Sequence, residues 1–179
     1  MVFSGCGSST PPPHPLPTTP VNAPGKSKNA NNCKFDKKKK TNSCEYYQLL
    51  VLECSNYKVL NENERAKGYR GGIVKCDRTD RTGFVKAWYR FEGGAGDQMP
   101  DTCVPVNRCG THAPGWLSDG HPAVAEGAAS RKVCFHWSGN CCRWNMNVRV
   151  RNCGKFYVYE LPPTQYCSLR YCGNKDQGR

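Results

Sequence analysis

The segment CFHWSGNCCRW, residues 134–144, concentrates side chains that can carry chemistry. It holds three cysteines and a histidine within nine positions, and Cys141 and Cys142 are adjacent. Thiolate and imidazole groups bind zinc, a thiolate beside a histidine can act as a nucleophile, and cysteines pair as disulfides. The rest of the sequence decides which of these chemistries the segment supports.

Zinc binding and thiol catalysis both fit this segment poorly. Structural zinc sites place two cysteines in a short C-x-x-C-type turn, whereas adjacent residues of a strand point to opposite faces, and the chain has no CxxC motif. A catalytic thiol needs one distinct cysteine and a base. His136 would lie on the same side of a strand as Cys134, but a nucleophile among so many other cysteines would be oxidised outside the cytosol. We therefore expect no metal, no cofactor and no enzymatic activity.

The cysteine content favours a disulfide-bonded extracellular domain. The chain has 13 cysteines among 179 residues and a hydrophobic fraction of only 37%, so cross-links would supply stability that a thin core does not. The first residues, MVFSGCGSST, lack the basic and apolar regions of a signal peptide, which suggests a fragment of a secreted protein. The sequence has no apolar run long enough for a transmembrane helix, so we expect no membrane span.

Composition divides the chain into four parts. Residues 1–32 are rich in Pro, Ser and Thr, which predicts a disordered linker or stalk. Residues 33–53 form a Lys-rich segment, residues 54–174 a cysteine-rich domain, and residues 175–179 a short tail. The strand signals described below lie mostly in the third part.

The 13 cysteines fall into two groups, ten within the domain and three before it. The domain contains an even set of ten, in which adjacent half-cystines at 141 and 142 can tether one strand to two different parts of the fold. A disulfide knot is therefore the preferred interpretation of the segment. Before the domain, Cys33 and Cys44 bracket the lysine run and are a candidate further disulfide. Cys6 would then be left over, which predicts a disulfide-linked dimer through Cys6.

Strand signals predict a mainly β, antiparallel domain with long Gly- and Pro-rich loops. The clearest is a hairpin at residues 147–161, where Val148 and Val150 alternate with arginines, so that the valines would share one face and the arginines the other. The segment FVKAWYRF, residues 84–91, predicts another strand. Weaker strand signals are found at residues 45–52, 57–60, 104–106 and 131–137.

An ordered series of motifs across residues 54–173 resembles a known domain. The series includes CSNYKVLNE, WYRFEGGAGDQM, TCVPVNRCGTHAPGWL, RKVCFHWSGNCCRW and FYVYEL. It is similar to the cysteine-rich domain of the uromodulin family, to which pancreatic secretory granule glycoprotein 2 and the oncoprotein-induced transcript 3 product also belong. The resemblance covers two-thirds of the chain and supplies a counterpart for every expected cysteine.

The resemblance implies a disulfide pairing that the residues alone leave open, since ten cysteines allow many connectivities. Carried over by position, the implied pairs are Cys54–Cys153, Cys76–Cys167, Cys103–Cys141, Cys109–Cys172 and Cys134–Cys142.

The best-known activity of the family does not carry over with the fold. In uromodulin and pancreatic secretory granule glycoprotein 2, this domain displays a mannose-rich N-glycan that enterobacterial fimbriae bind, on an asparagine directly after a Tyr-Val-Tyr strand. Here Tyr157, Val158 and Tyr159 are followed by Glu160, and the chain contains no N-x-[ST] sequon. The resemblance therefore implies the scaffold without this decoy glycan.

Two groups of basic residues are candidate polyanion-binding sites, with a solvated surface as the alternative interpretation. The formal net charge is +12, and a summed positive field attracts sulfated polysaccharides in a salt-sensitive way. One group is a lysine run, and the other would share a face of the predicted hairpin. The residues are Lys37, Lys38, Lys39 and Lys40 in the first, and Arg143, Arg149, Arg151 and Lys155 in the second.

The sequence as a whole predicts an extracellular, non-enzymatic recognition or adhesion module of the uromodulin type, with a role in innate defence or matrix interaction. Its ligand would be an extracellular protein or carbohydrate, and nucleic acid is not an expected partner. Trp116, among turn residues, is the aromatic side chain expected to face a ligand, whereas most other aromatics would pack in the core. The alternative is a cationic protein that binds glycosaminoglycan or a microbial surface.

Overall fold

The computed structural model describes residues 35–36, 41–42, 52–72 and 74–176 of the chain. Two strands of two residues each, β1 (Phe35–Asp36) and β2 (Thr41–Asn42), pair antiparallel within the Lys-rich segment. The predicted stalk at residues 1–32 lies outside the described residues, as do Cys6, Cys33 and Cys44.

The rest of the strands form one seven-stranded sheet. In chain order they are β3 (Lys58–Leu60), β4 (Ala87–Phe91), β5 (Ala113–Leu117), β6 (Ala128–Trp137), β7 (Asn140–Asn152), β8 (Tyr157–Leu161) and β9 (Leu169–Tyr171). Their spatial order is β3-β4-β8-β7-β6-β5-β9. The prediction of a mainly β, disulfide-rich domain is confirmed.

Helices are short and lie in the connections between strands. Residues 52–55 are helical, Thr79–Thr82 forms one α-helical turn, and three 3-10 turns lie at Asn63–Arg65, Gly93–Ala95 and Val124–Glu126. In the part of the chain that the structure describes, no helix is long and apolar enough to span a membrane.

The long hairpin β6–β7 is the centre of the sheet. Its turn consists of two residues, Ser138 with a φ of 49° and Gly139 with a φ of 75°. Positive φ at both central residues is typical of a type I′ turn, whose twist matches that of the strands it connects. The turn pairs Trp137 with Asn140, and beyond a register shift between Phe135 and Trp137 the strands continue with Phe135 opposite Trp144 and Val133 opposite Met146.

The predicted hairpin at residues 147–161 is confirmed as β7–β8. Val148 and Val150 are buried, and Arg149 between them is exposed, so the alternation places the side chains as predicted. The connecting loop is Cys153–Phe156, in which Gly154 has a φ of 85°.

The edges of the sheet differ from the antiparallel expectation. β3 pairs with β4 in parallel, and β5 pairs with β9 in parallel, while the other pairings are antiparallel. Parallel neighbours need a long crossover, and a run of short strands in sequence does not reveal which of them are joined in this way.

Several predicted strand boundaries are wrong. Strand β4 begins at Ala87 rather than residue 84, because the carbonyls of Phe84 and Val85 accept hydrogen bonds from the side chains of Thr79 and Tyr89 instead of joining the ladder. Residues 104–106 are not a strand but part of a loop. The strand predicted at residues 45–52 lies outside the described residues except for Leu52, which is helical.

The main core lies on one face of the sheet. It is built from buried residues of every strand between β3 and β9, and Phe84 stacks on Tyr89 with ring centroids 4.6 Å apart. Gly115 is required here, since a Cβ atom at this position would lie 2.7 Å from the ring of Phe135. The largest apolar members are Phe91, Met99, Leu117, Val133, Phe135, Val150, Tyr159, Leu161, Leu169 and Tyr171.

A second, smaller cluster lies beside the parallel edge β5–β9. It contains Val104, Cys109 and Cys172, with Trp116 packed against it. This cluster packs the loop between Gly96 and His112 against the sheet. Cys103 lies in this loop, directly before the buried Val104.

Candidate functional site

Five disulfides position the loops around the sheet. The structure joins the ten cysteines of the domain in the five pairs that the resemblance implies: Cys54–Cys153, Cys76–Cys167, Cys103–Cys141, Cys109–Cys172 and Cys134–Cys142. The first closes a sequence separation of 99 residues, which in the chain-entropy model contributes about 4–5 kcal/mol of stability.

The adjacent cysteines at the start of β7 are attached to two different elements. Cys142 bonds to Cys134 across the hairpin, on β6, and Cys141 bonds to Cys103 in the loop before β5. A shift of register between Phe135 and Trp137 accompanies this arrangement. Neighbouring side chains therefore fasten one strand to two partners, as the adjacency predicts.

His136 lies against the Cys103–Cys141 disulfide. Its Nδ1 atom is 3.5 Å from Cys103 Sγ and 2.8 Å from the carbonyl oxygen of Val104. The ligand atoms of the two cysteines and the histidine all lie within 4.8 Å of one another. Because Cys103 and Cys141 are bonded to each other, neither sulfur is a thiolate that could bind zinc in this oxidised form.

Trp116 is fixed by packing and by a hydrogen bond, although its neighbours in the sequence are typical turn residues. The side chain is half-buried against the smaller cluster, and its indole nitrogen donates a hydrogen bond of 2.8 Å to the carbonyl of Cys141. Trp137, beside the β6–β7 turn, is more exposed at 38%. Trp116 lies on strand β5 rather than in a loop, and the expectation that it faces a ligand stays a prediction.

One side of the β6–β7 hairpin forms a polar face. Cross-strand pairs place Ser130 opposite Arg149, Lys132 opposite Asn147, and Cys134 opposite Asn145. We call the exposed residues Ser130, Lys132, Arg143, Asn145, Asn147 and Arg149 the polar face. Within the described part of the chain, four of its amide and cationic side chains form no hydrogen bond or salt bridge: Lys132, Arg143, Asn145 and Asn147.

Arg149 and Arg151 share a face, as predicted, and one carboxylate lies against both. Glu53, from the helical residues 52–55, pairs with Arg151 and lies 3.6 Å from a guanidinium nitrogen of Arg149. The Arg149 guanidinium also lies over the ring of Trp88, 5.5 Å from its centroid. At this end of the hairpin the two guanidiniums therefore share one counter-charge, and the Arg149 side chain stays half-exposed.

Of the other predicted basic residues, Arg143 does not join that pair. Arg143 is eight residues from Arg151 on the same strand, so at about 3.3 Å per residue the two are about 26 Å apart. Lys155 lies in the β7–β8 loop, at the opposite end of the hairpin from Arg143. The lysine run Lys37–Lys40 lies outside the described residues.

A buried ion pair supports the parallel edge of the sheet. The guanidinium of Arg65 donates to both carboxylate oxygens of Asp77 at 2.7 and 2.8 Å, and Asp77 also accepts from the backbone of Tyr171. Burial alone would lower the pKa of Arg65, but the charge and hydrogen bonds of Asp77 raise it above its ordinary value. No motif in the sequence marks this pair, since its members are 12 residues apart and outside the strands.

His121 contacts the buried hydroxyl of Tyr159 in a second polar arrangement. The distance from His121 Nε2 to the hydroxyl oxygen is 2.8 Å, and the same oxygen accepts a hydrogen bond from the backbone of Met99. The hydroxyl keeps its own proton as a donor, and an unprotonated Nε2 of a neutral ring can accept it. Burial lowers the pKa of His121, in agreement with this geometry.

Glu160 occupies the position after the Tyr-Val-Tyr strand. It lies on β8 opposite Trp88, and its carboxylate is 3.5 Å from the ammonium of Lys86. A partly exposed carboxylate thus stands on the sheet where the resemblance implies a glycan-bearing asparagine.

Comparison with known proteins identifies the relatives of this fold. Residues 89–173 match the family of uromodulin-like cysteine-rich domains. Over 120 residues, 66% of this chain, the sequence is 50% identical to pancreatic secretory granule membrane major glycoprotein GP2 of Canis lupus familiaris, covering 23% of that protein. It is 44% identical to the Homo sapiens GP2 over 120 residues, which are 66% of this chain and 21% of that protein.

Uromodulin shows a comparable similarity. The Mus musculus protein is 44% identical over 120 residues, 66% of this chain and 18% of that protein. The chain thus spans about a fifth of the length of the curated relatives it matches.

Proposed function

Because the chain contains a uromodulin-like domain of the uromodulin and GP2 family, we propose that it serves as an extracellular, non-enzymatic recognition or adhesion module. Five disulfides suit a domain that works in an oxidising compartment. They also occupy every cysteine of the domain, which supports a binding role over thiol catalysis. Contact with a matrix or with microbes in innate defence is the kind of role that we assign to it.

The polar face carries this proposal. Four neighbouring side chains on a rigid hairpin, two amides and two cations, have hydrogen-bonding groups that no described residue uses. Amides can donate and accept at once, which suits the hydroxyl groups of a carbohydrate or the backbone of a protein. A regular sheet holds these groups in place before binding, which lowers the entropic cost of recognition.

Affinity capture from an extracellular extract tests the proposal. The wild-type protein should retain partners at high salt, because hydrogen bonds between fixed dipoles are screened less than long-range charge attraction. Asn145→Ala with Asn147→Ala should lose them, whereas Asn56→Ala with Gln165→Ala, exposed positions outside the polar face, should not. Equal retention by both double variants would contradict the assignment of the polar face.

Polyanion binding is the second candidate, and the unpaired Lys132 and Arg143 favour it. Neither side chain forms a salt bridge with any of the described acidic residues. If charge is the main source of affinity, high salt should release every captured partner, and the captured material should be sulfated or otherwise anionic.

A further inference from the structure

The Cys103–Cys141 disulfide differs from the Cys109–Cys172 disulfide in its surroundings. Neither of its cysteines is buried, and Cys141 is exposed. By contrast, both cysteines of the Cys109–Cys172 bridge are fully buried. An attacking thiolate must approach a disulfide sulfur directly, so access favours attack on Cys141 Sγ.

A hydrogen-bond donor stands beside the other sulfur of the Cys103–Cys141 bridge, which is what distinguishes it from Cys76–Cys167, where Cys167 is exposed as well. The carbonyl of Val104 can only accept, so the 2.8 Å contact places the proton of His136 on Nδ1. That N–H group is 3.5 Å from Cys103 Sγ. Since Val104 follows Cys103 directly in the chain, the residue that orients the imidazole also keeps the donor close to the sulfur.

We propose that Cys103–Cys141 is a thiol–disulfide exchange site for a thiol-bearing extracellular peptide or protein. The thiolate of the partner attacks Cys141 Sγ and forms a mixed disulfide there. The bond between Cys103 and Cys141 breaks, its electron pair moves to Cys103 Sγ, and water then protonates the released thiolate. The partner's sulfur is oxidised and Cys103 is reduced, so the step needs no further oxidant.

His136 would accelerate this step through the leaving group. Exchange is faster when the leaving sulfur carries its negative charge more easily. An N–H donor that is already in place stabilises charge as it develops on Cys103, in the way that a fixed dipole stabilises a developing anion. The other four bridges have no described histidine nitrogen at such a distance from a sulfur.

Exchange at this bridge would leave the domain folded. The loop that carries Cys103 stays attached through Cys109–Cys172 and through the packing of Val104. The first residues of β7 likewise stay attached through Cys134–Cys142. The module could therefore form a covalent link to a captured partner without losing its sheet.

Timed exchange with reduced glutathione tests the proposal on the full chain. Free thiols are first blocked with N-ethylmaleimide, glutathione is added, and the reaction is stopped with deuterated N-ethylmaleimide before peptide mapping by mass spectrometry. The glutathione adduct should appear first on Cys141 and the deuterated label on Cys103. Earlier opening of another bridge, or an adduct on Cys103 instead, would overturn the proposal, and neither readout depends on a variant.

A substitution of His136 tests whether its imidazole speeds exchange, or whether exposure of the disulfide alone explains the rate. His136→Phe should slow exchange at this bridge about tenfold, the effect expected when a hydrogen bond to a charged atom is lost. His112→Phe, at an exposed histidine whose ring lies beside Trp137, should exchange at the wild-type rate. An unchanged rate in His136→Phe would overturn the assistance that we assign to the imidazole.

Discussion

At Arg65 a charged side chain is taken out of water and held by a buried carboxylate. Asp77 is 1% exposed and accepts three hydrogen bonds, two from Arg65 and one from the backbone of Tyr171. A buried pair of this kind contributes little compared with apolar packing, but removal of one partner leaves the other charge uncompensated. The contribution of the Arg65–Asp77 pair to the free energy of unfolding is therefore measured by removing one of the two side chains.

Asp77→Asn should lower the free energy of unfolding by about 3 kcal/mol, the lower end for a broken buried pair, because Arg65 would lose its buried counter-charge and keep only the partly exposed Glu62. Chemical denaturation of the oxidised protein measures the change. Asp80→Asn is the matched control, since Asp80 pairs with Arg78 at the surface and its loss should change stability far less. Similar losses in both variants would contradict the proposed difference.

His121 makes the stability of the domain depend on pH. Burial lowers its pKa in the fold, Arg131 acts in the same direction, and Asp97 and Asp101 act against them. In the unfolded chain this histidine takes up a proton as the pH falls below about 6.5. The unfolded state then binds more protons than the folded state, so the stabilisation present above that pH is lost as the pH falls.

The free energy of unfolding should therefore decrease between about pH 7 and pH 5, and the decrease should be smaller in His121→Phe. Denaturation curves across this range measure the slope. His112→Phe should keep the wild-type slope, since His112 is exposed. A slope that is the same in His121→Phe and in the wild type would exclude His121 as its source.

At the scale of elements, the β6–β7 hairpin organises the molecule. It supplies the centre of the sheet, the polar face and three of the ten cysteines of the domain, of which Cys141 joins a loop to the sheet. Its two-residue turn contains Ser138 with a positive φ, a conformation that costs energy for serine and is favoured for asparagine.

Ser138→Asn should raise the free energy of unfolding by about 0.5 kcal/mol, because Asn-Gly is a preferred pair for a type I′ turn. Thermal or chemical denaturation measures the gain. Ser130→Asn, within strand β6, should give no gain, since asparagine is disfavoured in strands. Destabilisation by Ser138→Asn would contradict the turn type.

The elements differ in how far the sequence predicts them. The hairpin β7–β8 could be predicted, because Val148 and Val150 alternate with arginines and local alternation determines which face is buried. Strand β5 could not, since Pro114 and Gly115 disfavour strands and only pairing with β6 and β9 makes this segment extended. The contact of Glu53 with Arg149 and Arg151 could not be predicted either, because it joins residues that are far apart in the sequence.

At the scale of the whole molecule, cationic side chains are numerous, but they differ in whether a carboxylate is paired with them. The formal net charge is +12, yet several cations of the described domain are paired with carboxylates, as Arg149 and Arg151 are with Glu53. Lys132 and Arg143 on the polar face remain without such partners among the described residues. Binding to a polyanion would therefore depend more on these two side chains than on the arginine pair.

On a heparin column, Lys132→Gln with Arg143→Gln should elute at clearly lower salt than the wild type, because unpaired cations contribute most to the attraction. Arg149→Gln with Arg151→Gln is the matched control with the same change of net charge and should shift elution less. A larger shift in the control would contradict the role of pairing. Elution of the wild type below physiological salt would remove the polyanion candidate.

One disulfide framework ties the loops to the sheet and holds the polar face in place. The most direct measurement of this framework is a disulfide map of protein secreted by a eukaryotic host, with fragmentation that separates Cys141 from Cys142. We predict Cys103–Cys141 and Cys134–Cys142, together with the three other bridges of the domain. Exchanged partners for Cys141 and Cys142, or one tightly bound zinc ion per chain in place of a bridge, would contradict the account.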